Sequence, residues 1–271
     1  MRLANLIHAV LLAVGTTVQA ASAEAALKTL RTLDDVRDWQ AVGRLDVADR
    51  AFCTGALIAP DLVLTAAHCM YHPVTGRPVA ARDLKFRAGY RGGRADAERV
   101  AVAYVAHPGF DIEGPDTSDR IAADLALVRL ARPVPDRIAP FETASRPRKG
   151  AEVGVVSYGG SRADSPSLQE TCHVLARRRG MLMMNCQVEQ GSSGAPVFVV
   201  GPDGRAQIVS VISSFTEIRG RPAALGTDLE KPLAVVHDLL VTAPVSVPAS
   251  NGPVIRRLAA PAVPGAKFVR P

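Results

Sequence analysis

Two serines stand side by side in the stretch EQGSSGAPVF, Glu189 to Phe198, between two glycines. A serine hydroxyl presented on a glycine turn can attack a carbonyl carbon if a neighbouring base takes its proton and an acid orients that base. The chain offers both. His68 closes an apolar run in VLTAAHCM, and Asp124 heads another in AADLALVRL. An acidic group at the start of an apolar strand is costly unless it is hydrogen-bonded, and a neutral imidazole is a suitable partner. Base, acid and hydroxyl together form the set that acyl transfer requires. The residues by themselves leave Ser192 and Ser193 both open as the nucleophile. His72 is a rival base, but it precedes a proline in the polar loop MYHPVTGRP and reads as an exposed bystander.

Short strands must carry these groups. QAVGRLDV, FCTGALIA, LVLTAAH, LKFRAGY, RVAVAYVAH and LALVRL are β-like runs separated by Gly, Pro and Asp. That spacing predicts an all-β barrel or sandwich. A polar, Pro-rich stretch from Ala131 to Gly150 reads as a connection, and AEVGVVSYG, ETCHVLARR, MLMMNCQVE, APVFVV and AQIVSVISSF then resume the strand pattern. EKPLAVVHDLL, Glu230 to Leu240, has helical apolar spacing with its proline at an early position that a helix tolerates. The expected division is a first β unit over 38–135, a linker over 136–149, a second β unit with its terminal helix over 150–242, and a Pro/Ala-rich flexible tail over 243–271.

Residues 1–23 read as a signal peptide: Arg2 is followed by an apolar run from Leu6 to Val14 and by small residues at Ala20 and Ala23. An N-terminal or pro-segment spans 24–37. The apolar run is shorter than the roughly 20 residues a bilayer requires, so a secreted or periplasmic protein with no membrane association after cleavage is expected. The formal charge is +6, mostly arginine, and aromatic residues make up 4%. Scattered arginines without interleaved aromatics argue against nucleic-acid binding. Export makes the four cysteines, Cys53, Cys69, Cys172 and Cys186, candidates for disulfides rather than metal ligands. Three connectivities are open, and the local pairing would place one bridge in each half.

LTAAHC, DLALVRL and GSSGAP occur in the order His, Asp, Ser. In this the chain resembles the chymotrypsin-like (trypsin-like) serine proteases, with partial matches also at DWQAVGRL and AHPGFD. It looks like a bacterial-type member with GSSGAP in place of GDSGGP, and the resemblance covers about Trp39 to Leu240. It implies two antiparallel six-stranded Greek-key β-barrels with a C-terminal helix and the site between them. The family pattern Gly-x-Ser-Gly-x-Pro fits Gly191 to Pro196 in one register only. Ser193 is then the nucleophile, His68 the base and Asp124 the orienting acid. The N–H groups of Gly191 and Ser193 form the oxyanion hole.

The implied function is a secreted serine endopeptidase acting on proteins or peptides, a monomer with no metal and no cofactor. A non-catalytic chymotrypsin-fold binding protein and an α/β-hydrolase esterase are the alternatives. The esterase needs the order Ser, Asp, His and a strand-turn-helix around the serine. For the specificity pocket, the resemblance points to Gln187, Ser213 and Phe215, with Ala223, Ala224 and Leu225 nearby. A neutral Gln187 at the pocket floor predicts a small or medium-sized neutral side chain on the acyl side of the cut bond.

Overall fold

In LKFRA the apolar residues Leu84, Phe86 and Ala88 alternate with Lys85 and Arg87, and the folded chain buries the first three while Lys85 and Arg87 stay partly exposed. Period-two burial of this kind is what curls a strand's apolar face around a barrel core. The structure is a computed structural model that describes residues 26–48 and 51–242. The expected leader (1–23) and tail (243–271) lie outside the described residues.

A short strand β1 (Lys28–Thr29) and a four-residue helix α1 (Leu33–Val36) precede the barrels. The first barrel comprises β2 (Val42–Val47), β3 (Ala51–Ala59), β4 (Leu62–Thr65), β5 (Leu84–Ala88), β6 (Ala97–Ala106) and β7 (Ala126–Leu130). Helix α2 (Ser118–Ala122) lies between β6 and β7, and β8 (Glu142–Thr143) lies in the connection to the second half. The second barrel comprises β9 (Glu152–Gly159), β10 (Arg162–Arg178), β11 (Met181–Met184), β12 (Pro196–Val200), β13 (Ala206–Ile218) and β14 (Arg221–Asp228), followed by helix α3 (Pro232–Thr242).

The first barrel closes in the order β2-β3-β4-β7-β6-β5, and the second runs β10-β11-β14-β13-β12-β9 and closes through β9–β10. Both halves therefore share one antiparallel Greek-key order. The α/β-hydrolase alternative is excluded, because that fold needs a strand-turn-helix at the serine and Ser193 here leads into β12.

Several boundaries differ from the sequence expectation. β14 lacks alternation, since Ala223, Ala224, Gly226, Thr227 and Asp228 are buried or nearly so on both faces of the strand. β10 starts at Arg162 rather than Glu170, and its Pro166 falls where the register with β9 shifts between Arg162 and Ser167. A bulge is one of the few sites where a strand tolerates proline. MLMMNCQVE stays extended only to Met184. The linker is no loose tether. Ile138 is buried, β8 pairs in parallel with β13, and Phe141 packs 4.7 Å from Phe198 and 6.1 Å from Trp39.

Two disulfides form, Cys53–Cys69 and Cys172–Cys186, with sequence separations of 16 and 14. Closing loops of that size stabilises the fold by about 3 kcal/mol each in the chain-entropy account.

Candidate active site

His68 lies in a 3-10 turn (Ala67–Met70) directly after β4, and the Cys53–Cys69 bridge ties that turn to β3. Asp124 follows α2, a helix capped by the Thr117 side chain, and its backbone N–H donates to Ile121 O. The Asp124 carboxylate is buried and receives three hydrogen bonds. His68 N–H donates to Oδ1 at 2.9 Å, His68 Nδ1 lies 2.7 Å from Oδ2, and Ser213 Oγ donates to Oδ2 at 2.5 Å. Thr227 Oγ1 donates to the carbonyls of Ile121 and Asp124. A first-barrel acid is therefore held by two residues of the second barrel.

Burial on its own pushes the Asp124 carboxyl up. The imidazole beside it and the three hydrogen bonds outweigh burial and hold it below the usual carboxylate range. For His68, burial works to lower the affinity for a proton, but the Asp124 charge and hydrogen bond prevail and leave the imidazole raised. With Nδ1 committed to Asp124, a neutral imidazole keeps Nε2 as its acceptor.

The two serines are placed differently. Ser192 is fully buried, and its hydroxyl lies 3.1 Å from Tyr158 O and 3.3 Å from Ser157 Oγ while accepting from Glu189 N. Ser193 is half-exposed, and among the described residues its hydroxyl makes no hydrogen bond. The turn itself is tightly held. Ser192, Gly194 and Ala195 donate their N–H groups to Glu189, Ile212 and Ser192 carbonyls. Among the described residues, the N–H groups of Gly191 and Ser193 donate to no protein acceptor.

Gly191 has φ 95° and Gly194 φ 79°, both in the left-handed region that glycine enters without penalty. A Cβ on Gly194 would strike Thr54 O and Thr65 Oγ1 and come within 3.1 Å of Ala66 N, two residues before His68. The serine turn therefore presses directly against the strand that delivers the histidine.

Thr54 is a residue that sequence analysis missed. It is buried on β3, its N–H donates to Ser193 O at 2.8 Å, and its hydroxyl donates to Gly191 O at 2.9 Å while accepting from Tyr158 N. Its position next to Cys53 was the only available signal.

The expected pocket residues occupy different settings. Ser213 turns its hydroxyl to Asp124, Gln187 is half-buried with its N–H held by Gln169 Oε1 at 2.7 Å, and Phe215 is 54% exposed. His72 Nδ1 accepts from the N–H groups of Val74 and Thr75 and so shapes its own loop. Cys53 and Cys69 sulfurs lie with a His68 nitrogen inside a 4.8 Å span, but each sulfur is consumed in the bridge and offers no thiolate to a metal.

A two-barrel fold that pairs a histidine with an aspartate and packs a Gly-Ser-Ser-Gly turn against the strand before that histidine defines the class of chymotrypsin-like proteins. The Trypsin family model matches residues 33–221, and the chain belongs to that family. It is 35% identical to a trypsin of Sarcophaga bullata over 40% of this chain and 39% of that protein, and 26% identical to serine protease 23 of Rattus norvegicus over 54% of this chain and 43% of that protein. The matches thus span less than half the length of these relatives. A solved structure of a Glu endopeptidase superposes with TM-score 0.64 at 14% identity, covering 81% of this chain and 98% of that one, a likeness of fold. No helix among the described residues is long and apolar enough to cross a membrane.

Proposed function

We propose that the protein is an exported serine endopeptidase. Ser193 attacks the scissile carbonyl, His68 takes its proton and later returns it to the leaving amine, and water hydrolyses the acyl-enzyme. Asp124 holds the imidazole in the tautomer with Nε2 free. The N–H groups of Gly191 and Ser193 receive the oxyanion. The observation that carries this function is the nucleophile turn: it buries one hydroxyl, leaves the next free, and keeps two amides unspent beside it.

An organophosphorus fluoride tests the proposal directly. A single covalent adduct is expected on the peptide containing Ser193, absent from Ser193→Ala. A protein that folds but takes up no label would instead be a non-catalytic binding protein.

The raised His68 sets the pH dependence. A protonated imidazole cannot accept the serine proton, so kcat/KM is expected to rise with pH through one step whose midpoint lies above the ordinary histidine value of about 6.5. A flat profile between about pH 5 and 9 would remove His68 as the base.

The preference proposed is for small or medium neutral residues on the acyl side. Gln187 is uncharged, and the Glu189 carboxylate is occupied by Ser161 and Arg162. Cleavage of Ala- or Val-containing peptides should exceed that of Arg-containing ones by at least about tenfold, since a buried unpaired cation is costly. The reverse order overturns the assignment.

The segment 24–37 is proposed to remain part of the active protein. Leu30 and Val36 are buried, and the β1 strand pairs with β10.

A further inference from the structure

The nucleophile turn is gripped from below by a hairpin that the proposed catalytic groups do not use. β9 and β10 meet at Gly159–Arg162, and Gly160 N–H donates to Gln190 O at 2.7 Å. In a trans peptide the C=O and the following N–H point in opposite directions. A Gln190 carbonyl fixed toward Gly160 therefore aims the Gly191 N–H away from the hairpin, where no protein acceptor among the described residues meets it.

Beside this bond, Ser161 Oγ donates to both Glu189 carboxylate oxygens at 2.7 and 3.0 Å. The Arg162 side chain, 13% exposed, spreads its planar fork over three residues. Nε lies 3.2 Å from Glu189 Oε1, Nη1 donates to Ser157 O at 2.5 Å, and Nη2 reaches Ser157 Oγ at 3.1 Å and Ser192 Oγ at 3.5 Å. A Cβ on Gly159 would collide with the Glu189 carboxylate. A guanidinium is costly to bury unless its donors are met, and this one is placed against both ends of the turn. Ser192 carries no charge, so a chain-terminal amine could not order the turn by an ion pair at this position. The N-terminal segment is laid elsewhere, with Lys28 and Thr29 paired to Leu168 and Ser167 and Leu30 N–H bonded to Pro166 O.

We propose that Arg162, wedged between Glu189 and Ser192 on the Gly159–Arg162 hairpin, is a positioning residue that holds the oxyanion turn open from within, so that the site is assembled without a cut amino terminus. What the turn does rests on the peptidase function proposed above; whether Arg162 holds it does not.

The test compares wild type, Arg162→Met, Arg162→Lys and Arg162→Gly, each beginning at Glu24, by peptide kinetics and by hydrogen exchange of residues 187–194. Wild type should be active without further cleavage. Arg162→Met should lose about 10- to 100-fold in kcat, with KM within about threefold, and exchange faster in 187–194 while the rest of the second barrel is unchanged. Arg162→Lys should recover part of the loss, and guanidinium chloride should restore part of kcat to Arg162→Gly where potassium chloride at equal ionic strength does not. A lowered Tm with kcat per titrated site and local exchange both unchanged would make Arg162 merely structural and overturn the proposal. So would a wild type that stays inert until its N-terminal segment is cut. Failure of every form, cut or uncut, to hydrolyse any peptide would overturn the peptidase function, and the exchange rates would still decide the role of Arg162.

Discussion

Ser193→Ala is expected to fold normally and to lose peptidase turnover by a factor on the order of 10⁶, the scale seen when a triad nucleophile is removed. Ser193 is half-exposed and its hydroxyl bonds to no protein group among the described residues, so its removal leaves nothing buried and unpaired. Ser192→Ala should behave in the opposite way. Its hydroxyl is fully buried and bonded to Tyr158 O and Ser157 Oγ, so the variant should lose about 1–3 kcal/mol of stability. Its turnover should fall far less than that of Ser193→Ala, because the nucleophile remains. Active-site labelling and a thermal melt of both variants check the pair. Loss of labelling in Ser192→Ala with retention in Ser193→Ala would reverse the assignment.

Asp124→Asn is expected to cost about 10⁴-fold in kcat, the magnitude characteristic of this kind of triad. The geometry accounts for the direction. Three donors converge on the carboxylate: His68 N–H, His68 Nδ1–H and Ser213 O–H. An asparagine has one acceptor oxygen and an NH₂ that cannot accept, so one donor must face another or the imidazole must take the wrong tautomer. Loss of the negative charge also removes the main cause that raises His68. The midpoint of the residual kcat/KM profile should therefore move to lower pH. A variant within about tenfold of wild type would show that His68 is oriented by something other than Asp124.

Much of this was legible along the chain. Period-two alternation located LKFRA and its neighbours because one face of each strand meets a core and the other meets water. The order of His68, Asp124 and the serine pair needs no third dimension, and the choice of Ser193 within the pair came from the resemblance of GSSGAP to the family pattern. β14 escaped because a strand buried on both faces has no alternation to read, and the first half of β10 escaped because Pro166 and the two serines flanking it imitate a loop.

The sequence by itself determined the strand-rich halves and the order of the histidine, aspartate and serine motifs, since each depends on residues close together in the chain; the structure chose the local pair of disulfides among three open connectivities. Only the tertiary structure decided why one of two adjacent serines is free and the other is buried. The partners that settle this, Thr54, Ser157, Tyr158 and Arg162, lie 30 or more residues away along the chain, with Thr54 on the opposite barrel. The same holds for Ser213, expected as a pocket residue, whose hydroxyl donates to Asp124 across 89 residues of sequence. Local propensity is blind to such pairings, because a buried hydroxyl or carboxylate takes its partners from whatever the closed barrels bring against it.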